Sequence, residues 1–382
     1  MSIYLDNAAT TRVYPEVAAL MHEVMCNDYG NPSSLHNMGL QAEKYIKQAS
    51  EQIASELKVT SKEIIFTSGG TESDNLAILG AAAAYNRRGK HIITSQVEHP
   101  AVLEPIKHLE ENGYDISYLE VDTKGRVCCS ALQKALREDT ILVSIMLQNN
   151  EIGQIQPIQE LTHVVHSYDS RIIFHCDAVQ AFGKMKIHPK KLGIDLLTIS
   201  AHKIHGPKGI GVLYIKDGVK INPLLYGGNQ QRNIRSGTEN VPAIAGFGLA
   251  TKMIYRNMAD KNTQALMLKD RFSQALQDSD LERVWFHPGD SPYVLSVGFA
   301  HVRAEVLLHT LEEQNIYVSS GSACASNKRE ISTVLQAIKT PPDYLECTIR
   351  FSFSEFTTVD DIDRTVEVLK RSVPMLRRFV RK

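Results

Sequence analysis

Short apolar segments with high strand propensity alternate with helical stretches along the first two-thirds of the chain. Most of these segments are near-continuous apolar runs, which is typical of strands that are covered on both faces. They lie at residues 63–68, 91–95, 115–121, 141–147, 171–177, 196–200 and 211–216, and helical stretches between them lie at residues 71–86, 101–112 and 158–167. This repetition predicts an α/β fold, with a mostly parallel sheet and helices on both of its faces.

The pattern changes at about residue 256. Helices are predicted at residues 265–278 and 304–314 and from Val359 onward, and strands at residues 293–299, 316–320 and 347–353. We therefore expect two domains. The large domain would comprise residues 15–255, and a smaller α+β domain would comprise residues 1–14 and 256–382.

Composition excludes several classes of protein. Lys and Arg number 42 against 43 Asp and Glu, so the net charge of −1 predicts no overall attraction to nucleic acid or anionic membrane. The apolar runs fall short of the ~18 residues that a membrane span requires. The six cysteines are irregularly spaced, and the first residues contain no basic segment followed by an apolar one. We therefore expect a cytoplasmic protein with reduced thiols.

Ligands of open α/β sheets bind beyond the carboxyl ends of the strands, and polar residues follow several strand ends here. Gly69 and Gly70 follow the first sheet strand and precede a helix, so the backbone N–H groups at the helix start suit a phosphate. The alternative is a turn capped by Thr71 or Ser73. Asp177 ends another strand, where a protonated ring nitrogen would be a suitable partner; the alternative is an ordinary helix N-cap.

Ser200, His202 and Lys203 follow a third strand, at the same edge of the predicted sheet. A lysine in a dry crevice has a lowered pKa and can form a Schiff base, whereas the alternative is a surface lysine before a glycine turn. A zinc site at His202 and His205 is disfavoured, because no further ligand at metal spacing is near them. The glycines at 206–211 precede a strand, so they do not form a dinucleotide fingerprint.

Cys324 lies within a run of small residues at 319–326 that follows a predicted strand. Small side chains cannot pack tightly, so we expect an accessible thiol and a candidate nucleophile. The alternative is a flexible connector with an incidental cysteine, and composition does not decide between the two. Cys128 and Cys129 are expected to be inert, and the alternative is a redox pair. The basic C-terminal residues are interpreted as favourable partners of a helix dipole, and the alternative is a docking patch for tRNA or an acidic carrier.

Ten segments in order resemble the pyridoxal 5′-phosphate (PLP) cysteine desulfurases of the NifS/IscS type. They are residues 4–11 (YLDNAATT), 30–34 (GNPSS), 67–75 (TSGGTESDN), 98–99 (EH), 149–153 (NNEIG), 177–180 (DAVQ), 200–211 (SAHKIHGPKGIG), 235–240 (RSGTEN), 319–326 (SSGSACAS) and 350–352 (RFS). The resemblance implies a type I, aspartate-aminotransferase-like fold and a homodimer.

The resemblance also assigns roles to residues. Lys203 would bind the cofactor covalently and move the Cα proton of the substrate, and Asp177 would pair with the pyridinium nitrogen. His99 would be catalytic as well, stacking on the ring and relaying protons. Arg350 would bind the substrate carboxylate through two hydrogen bonds. The resemblance further implies that Asn150 contacts both substrate and cofactor and that Gln180 contacts the ring oxygen. The cofactor phosphate would be held by Gly70, Thr71, Ser200 and His202, together with Thr238 from a partner subunit.

In this family the sulfur of L-cysteine is transferred to a cysteine, which implies a persulfide on Cys324 and release of L-alanine. The implied partners are a sulfur-acceptor protein, either an iron–sulfur scaffold or a sulfur carrier, with tRNA thiolation reached indirectly and no membrane involved. Cys324 is also a candidate ligand of an iron–sulfur cluster. The alternatives are another type I PLP enzyme, such as a selenocysteine lyase or an aminotransferase, and a non-catalytic scaffold with the same fold.

Overall fold

The computed structural model describes residues 2–320 and 331–379 of the chain. In its N-terminal part the elements are β1 Ile3–Tyr4, α1 Pro15–Cys26, α2 Asn37–Leu57, β2 Ile64–Thr67, α3 Gly70–Tyr85, β3 His91–Ser95, α4 Pro100–Glu111, β4 Asp115–Leu119, α5 Cys129–Ala135, β5 Thr140–Ser144, α6 Ile158–Tyr168, β6 Ile173–Asp177, α7 Pro189–Leu192, β7 Leu196–Ser200, β8 Gly211–Ile215 and α8 Val241–Tyr255. They are followed by α9 Met258–Gln277, β9 Val284–Phe286, β10 Val294–Phe299, α10 Ala304–Glu312, β11 Ile316–Tyr317, α11 Thr333–Ala337, α12 Pro342–Leu345, β12 Thr348–Ser352 and α13 Val359–Arg377.

The large sheet has the strand order β2-β8-β7-β6-β5-β3-β4. Its strands pair in parallel except β8, which is antiparallel to both β2 and β7. Strands β5 to β8 are buried along their whole length, whereas the edge strand β4 is partly exposed. The predicted mostly parallel α/β sheet is confirmed, and burial on both faces explains why its strands are continuous apolar runs.

Neighbouring residues of one strand face opposite sides of this sheet. Leu142 packs into the apolar cluster that contains Leu76 and Ile106, while Val143 packs into the cluster that contains Leu161 and Phe247. Helix α3 lies on the first side, against β5 to β8, and its first turn reaches the carboxyl ends of the parallel strands. Helix α8 packs on α1 and α2 on the second side. The site described below lies at this edge of the sheet.

The C-terminal part contains an antiparallel sheet with the order β12-β10-β9. The N-terminal strand β1 joins this part, because it pairs in parallel with β11 and its residue Ile3 packs in the same cluster as Phe299 and Leu307. The backbone N–H of Ser352 donates to the carbonyl of Leu5 at 2.7 Å. The N-terminal segment therefore passes from the C-terminal sheet toward the edge of the large sheet. The domain boundaries given above stay a prediction.

Helix α9 is longer than the sequence pattern predicts. It begins at Met258, seven residues before the predicted start at residue 265, because its first turns are polar and lack the apolar spacing that reveals a helix. Its N-cap residue Asn257 has a φ of 55°, a left-handed conformation that asparagine tolerates. Within the described residues, no helix combines the length and the apolar character needed to cross a bilayer.

Candidate active site

A cavity of about 270 Å³ opens where the carboxyl ends of the parallel strands meet the N-terminal segment. Most of the polar side chains that the sequence identifies line it. The lining comprises Ala8, Ala9, Gly70, Thr71, Asp74, His99, Ala101, Met146, Asn150, Asp177, Val179, Gln180, His202, Lys203 and Arg350. Residues from seven separate stretches of sequence are therefore brought to one place, and several of these stretches follow strand ends of the large sheet.

A second cavity, of about 380 Å³, adjoins the first at the start of α3 and shares Ala9, Gly70, Thr71 and His202 with it. Helix α3 has Gly69 as its N-cap, and no side chain caps it. Uncapped N–H groups and the positive end of the helix dipole favour an anion here, and the lining also includes Ser200 and Lys208. The alternative of a turn capped by Thr71 or Ser73 is wrong, because both lie inside the helix.

Gly211, the first residue of β8, allows the backbone to pass close to the Gly69 turn. A Cβ atom at Gly211 would lie 2.6 Å from the carbonyl carbon of Gly69, closer than Cβ atoms approach other groups. A Cβ at Gly70 would meet only side chains, the Cγ2 atom of Val179 at 3.0 Å and the Cβ atom of Ser200 at 3.9 Å. The glycine at position 211 therefore fixes the shape of the anion cavity more strictly than the glycine at position 70.

Lys203 ends a short 3₁₀ turn, Ala201–Lys203, that follows β7 directly. Its amine donates to the carbonyl oxygens of Ala8 at 2.5 Å and Ala9 at 2.7 Å. The sequence did not identify these two carbonyl groups as part of the site, because alanine carries no functional side chain. Only the motif at residues 4–11 indicated that this segment matters. Lys203 therefore lines the cavity with its amine held by backbone acceptors of the N-terminal segment.

Asp177 is the last residue of β6, and its side chain lies in the same cavity. Its Oδ1 accepts a hydrogen bond from the N–H of Val179 at 2.9 Å. Burial raises the pKa of Asp177 to about 6, opposed by the Val179 hydrogen bond and by the charge of Lys203. No helix begins at Asp177, so the helix N-cap alternative is wrong. Instead the carboxylate is available to a cationic partner in the cavity.

Two further buried carboxyl groups lie near Asp177, and sequence reasoning assigned a role to neither. Burial, together with repulsion from Asp177, raises the pKa of Asp74 well above its usual range, and burial raises the pKa of Glu98 to about 8. The neighbouring His175 offers no positive charge, because burial lowers its pKa to about 3. Asp74 and Glu98 therefore hold protons at neutral pH more readily than Asp177, which leaves Asp177 as the ionised group.

His99 is the N-cap residue of α4, and its Nδ1 accepts a hydrogen bond from the N–H of Ala101 at 3.1 Å. Burial and the nearby charge of Lys203 lower the pKa of His99 to about 4, so the ring is neutral. Because Nδ1 accepts, the proton of the neutral ring is on Nε2. His202 is likewise neutral, since burial lowers its pKa to about 4, and its Nδ1 is hydrogen-bonded to the Thr10 hydroxyl at 3.2 Å.

Arg350 lies in the middle of β12 and is 4% exposed. Its Nη1 donates to the carbonyl of Asn150 and its Nη2 to the Asp6 carboxylate, both at 2.9 Å. Its buried Nε has no hydrogen-bond partner among the described residues. A buried guanidinium that lines a cavity with an unsatisfied N–H fits the binding of an anionic group there. Asp6 was not predicted to belong to this arrangement.

Gln180 contacts the backbone and a second lysine. Its Nε2 donates to the carbonyl of Ala8 at 2.9 Å, and its Oε1 accepts from the amine of Lys184 at 3.4 Å. Thr238 is exposed and lines neither of the two cavities. Cys324, predicted both as the nucleophile and as a candidate cluster ligand, lies outside the described residues. Within the described ranges, no group of three His, Cys, Asp or Glu side chains is arranged to hold a metal ion.

Comparisons with known proteins agree on one family. The profile of the class-V aminotransferases matches residues 3–365. Cysteine desulfurase IscS of Dictyoglomus turgidum is 46% identical over 377 residues, which cover 98% of this chain and 95% of that protein. The solved structure of a NifS-like protein superimposes with a TM-score of 0.93 at 36% identity and covers 98% of this chain and 100% of that one. The structure of SspA in complex with cysteine gives a TM-score of 0.83 at 33% identity and covers 94% and 100% of the two chains.

Proposed function

The chain belongs to the class-V aminotransferase family, and on that basis we propose that it is a PLP-dependent cysteine desulfurase. The observation that carries the proposal is the presence of Lys203, Asp177 and Arg350 in one cavity, beside an uncapped helix start. In the net reaction L-cysteine and the thiol of Cys324 give L-alanine and a persulfide on Cys324. The substrate loses its sulfur atom to the protein, and no external oxidant or reductant is needed.

The residues present fit PLP. Its phosphate would be held at the start of α3 by the N–H groups of Gly70 and Thr71, with Ser200 and His202 beside them. The carboxylate of Asp177 would hold the ring nitrogen, since it is the most readily ionised of the buried acids around the cavity. When bound, PLP supplies an aldehyde that condenses with amines and a ring that withdraws electrons from the Cα of the substrate.

Lys203 is proposed as the residue that binds the cofactor and then takes and returns the Cα proton of the substrate. A lysine amine that has lost its proton can do both, because it is then a nucleophile and a base. His99 supports the step as a neutral ring whose Nε2–H is available in the same cavity. A neutral ring can stack on a cofactor without adding charge beside the Lys203 amine.

Arg350 is proposed to bind the carboxylate of L-cysteine. Its Nε is unsatisfied, and its two terminal nitrogens are held by Asn150 and Asp6, so the guanidinium is fixed before the substrate arrives. Asn150 lines the same cavity and would add an amide contact to substrate or cofactor. This arrangement selects an α-amino acid by its carboxylate and leaves the sulfur free to meet Cys324.

Cys324 is proposed as the sulfur acceptor, in thiolate form, because a thiol is a poor nucleophile. The persulfide would pass to an acceptor protein, either an iron–sulfur scaffold or a sulfur carrier, and through such a carrier to tRNA thiolation. We place the enzyme in the cytoplasm, where thiols stay reduced. A role of Cys324 as a cluster ligand is part of the same proposal.

A homodimer is proposed from exposed apolar side chains. Leu35 is 98% exposed, Tyr226 82% and Tyr29 69%, which is unusual for large apolar groups on a soluble chain. Thr238 supports the proposal, because it is exposed and lines neither cavity of its own chain. In a dimer it would reach the phosphate cavity of the partner subunit.

The proposal is tested by supplying PLP and L-cysteine, with a dithiol to release sulfide, and measuring L-alanine and sulfide. The wild type should form both in equal amounts, and Lys203→Ala should form neither. Lys186→Ala, at an exposed lysine that lines neither cavity, is the matched control and should retain turnover. Formation of an oxo acid instead of alanine would identify an aminotransferase, and selenide release from selenocysteine alone would identify a selenocysteine lyase.

A further inference from the structure

The cavity that would hold the cofactor phosphate contains a carboxylate. Glu72, the third residue of α3, lines that cavity together with Gly70 and Thr71. A carboxylate in the first turn of a helix is stabilised by the positive end of the helix dipole, which is also the end that attracts a phosphate. Two anionic groups in one cavity repel each other, so the charge of Glu72 opposes phosphate binding unless a cation offsets it. The reaction described above gives Glu72 no role.

The carboxylate of Glu72 is held by an arginine and by the turn that precedes α3. Its Oε1 accepts a hydrogen bond from Nε of Arg235 at 2.8 Å, and its Oε2 accepts one from Nη2 of Arg235 at 3.3 Å. Oε2 also accepts a hydrogen bond from the backbone N–H of Ser68 at 2.7 Å. Burial raises the pKa of Glu72, but the hydrogen bonds from Arg235 and Ser68 outweigh burial and keep the pKa below its usual value. Glu72 is therefore an ionised group fixed by a two-point ion pair.

Arg235 is the cation that offsets the charge of Glu72. The side chains of Arg235 and Glu72 are only 24% and 18% exposed, so solvent and salt screen this pair less than a pair on the open surface. His202 lines the same cavity as a neutral ring and offers no charge. Lys208 lines the cavity too, but within the described residues Glu72 forms its ion pair with Arg235. The hydrogen bond to Glu72 and, to a smaller extent, the charge of Glu239 raise the pKa of Arg235, so the guanidinium stays charged.

Arg235 belongs to a segment that is fixed against the large sheet. Gln231, Arg232 and Asn233 have φ angles of 45°, 58° and 63°, in the left-handed region that residues other than glycine rarely adopt. Oε1 of Gln231 accepts a hydrogen bond from the N–H of Phe66, in the edge strand β2, at 2.9 Å. Such a conformation persists only where surrounding contacts hold it. The position of the Arg235 guanidinium is therefore set by a segment that is itself anchored.

We propose that Arg235 is a positioning residue for the cofactor phosphate, because its two hydrogen bonds neutralise Glu72 and hold that carboxylate on the Ser68 turn. The positive end of α3 is then left to the phosphate. Arg235 acts through Glu72, since it lines neither the phosphate cavity nor the cavity that contains Lys203. This inference rests on the proposed function, because it takes the anion at the start of α3 to be the phosphate of PLP.

The test measures the dissociation constants of PLP and of pyridoxal, which lacks the phosphate, by absorbance titration of the cofactor-free proteins. Arg235→Met leaves the charge of Glu72 unpaired, so it should weaken PLP binding about three- to tenfold and change pyridoxal binding less than about twofold. Glu72→Gln removes the charge that opposes the phosphate and leaves that of Arg235, so it should tighten PLP binding. Arg87→Met, at an exposed arginine just beyond the other end of α3, is the control and should match the wild type with both compounds.

A double variant, Glu72→Gln with Arg235→Met, separates charge from packing. Because both charges are removed together, it should bind PLP within about twofold of the wild type. A loss of PLP affinity that persists in the double variant, or an equal loss for PLP and pyridoxal in Arg235→Met, would show a structural role and overturn the inference. If Arg235→Met does not fold, Glu72→Gln decides alone, and PLP binding no tighter than in the wild type would overturn the inference.

Borohydride reduction of the PLP-loaded wild type, followed by peptide mapping, separates this inference from the proposed function. Absence of a PLP adduct on Lys203 would refute the proposed function. An adduct on Lys203, together with equal PLP affinities in the wild type and Arg235→Met, would refute only the role of Arg235.

Discussion

The Nη2 atom of Arg350 lies 2.9 Å from Oδ1 of Asp6, a residue 344 positions away in the chain. This ion pair joins strand β12 to the N-terminal segment. Two nearby residues of that segment, Ala8 and Ala9, accept hydrogen bonds from Lys203. Burial raises the pKa of Asp6, and the charge of Arg350 opposes that rise. The groups proposed to bind the substrate carboxylate and to move its proton are thus connected through one short stretch of chain.

Replacing Arg350 should weaken binding of L-cysteine. Arg350→Lys keeps a positive charge but loses Nε and the planar geometry, so we expect KM for L-cysteine to rise at least about tenfold. Steady-state kinetics of alanine formation measure the change. Arg271→Lys is the control, because that arginine pairs with Asp363 on the surface. An unchanged KM in Arg350→Lys would refute the proposed carboxylate site.

Asp177 should control cofactor affinity in a pH-dependent way. At pH 8 its carboxyl is ionised, since its pKa is about 6, and Asp177→Asn should weaken PLP binding at least about tenfold. As the pH falls through 6 the wild-type carboxyl gains a proton and comes to resemble the amide. The ratio of the two dissociation constants, measured by PLP titration of the cofactor-free proteins, should therefore shrink below pH 6. A ratio that stays constant from pH 8 to pH 5 would contradict the assignment of Asp177 as the partner of the ring nitrogen.

Gly211→Ala should damage the phosphate cavity more than Gly70→Ala. The added Cβ at position 211 meets backbone atoms of Gly69, which cannot move without shifting the turn, whereas at position 70 it meets a movable side chain. We expect Gly211→Ala to lower the free energy of unfolding by about 1–3 kcal/mol and to weaken PLP binding. Urea unfolding and PLP titration measure both effects. Equal behaviour of the two variants would show that the turn is not constrained by close packing.

Leu35→Asp should shift the protein from dimer to monomer. Leu35 is almost fully exposed in one chain, so a charge there costs nothing in the monomer but opposes burial in an interface. Light scattering coupled to size exclusion reports the mass. Leu266→Asp, a substitution at another exposed leucine, on α9, serves as the control. A stable dimer in Leu35→Asp, or a monomeric wild type, would contradict the proposed assembly.

The sequence predicted the large sheet well, because strands covered on both faces are continuous apolar runs and their alternation with helices permits few topologies. The family resemblance is confirmed by the comparisons. Strand ends also predicted that Gly70, Asp177 and Lys203 meet, and the family resemblance added His99 and Arg350. All five line one cavity. Their roles stay predictions.

The structural features that the sequence did not predict depend on tertiary contacts between distant residues. The Lys203 amine donates hydrogen bonds to the backbone carbonyl groups of Ala8 and Ala9. Such a backbone contact cannot be inferred from the type of residue. Asp74 and Glu98 lie within motifs, but only burial shows that they compete with Asp177 for protons. The start of α9 was missed because its first turns are polar. Each of these features is set by what surrounds the residue in space.

The account is tested most directly by mass spectrometry of the protein after brief exposure to L-cysteine in the presence of PLP. It predicts one extra sulfur atom on the peptide that contains Cys324, and none on the peptide that contains the exposed Cys128. The extra sulfur should be absent in Cys324→Ser, which still binds PLP, and in Lys203→Ala. An unmodified Cys324 in a wild-type protein that nevertheless forms L-alanine, or sulfur carried by another cysteine, would contradict it.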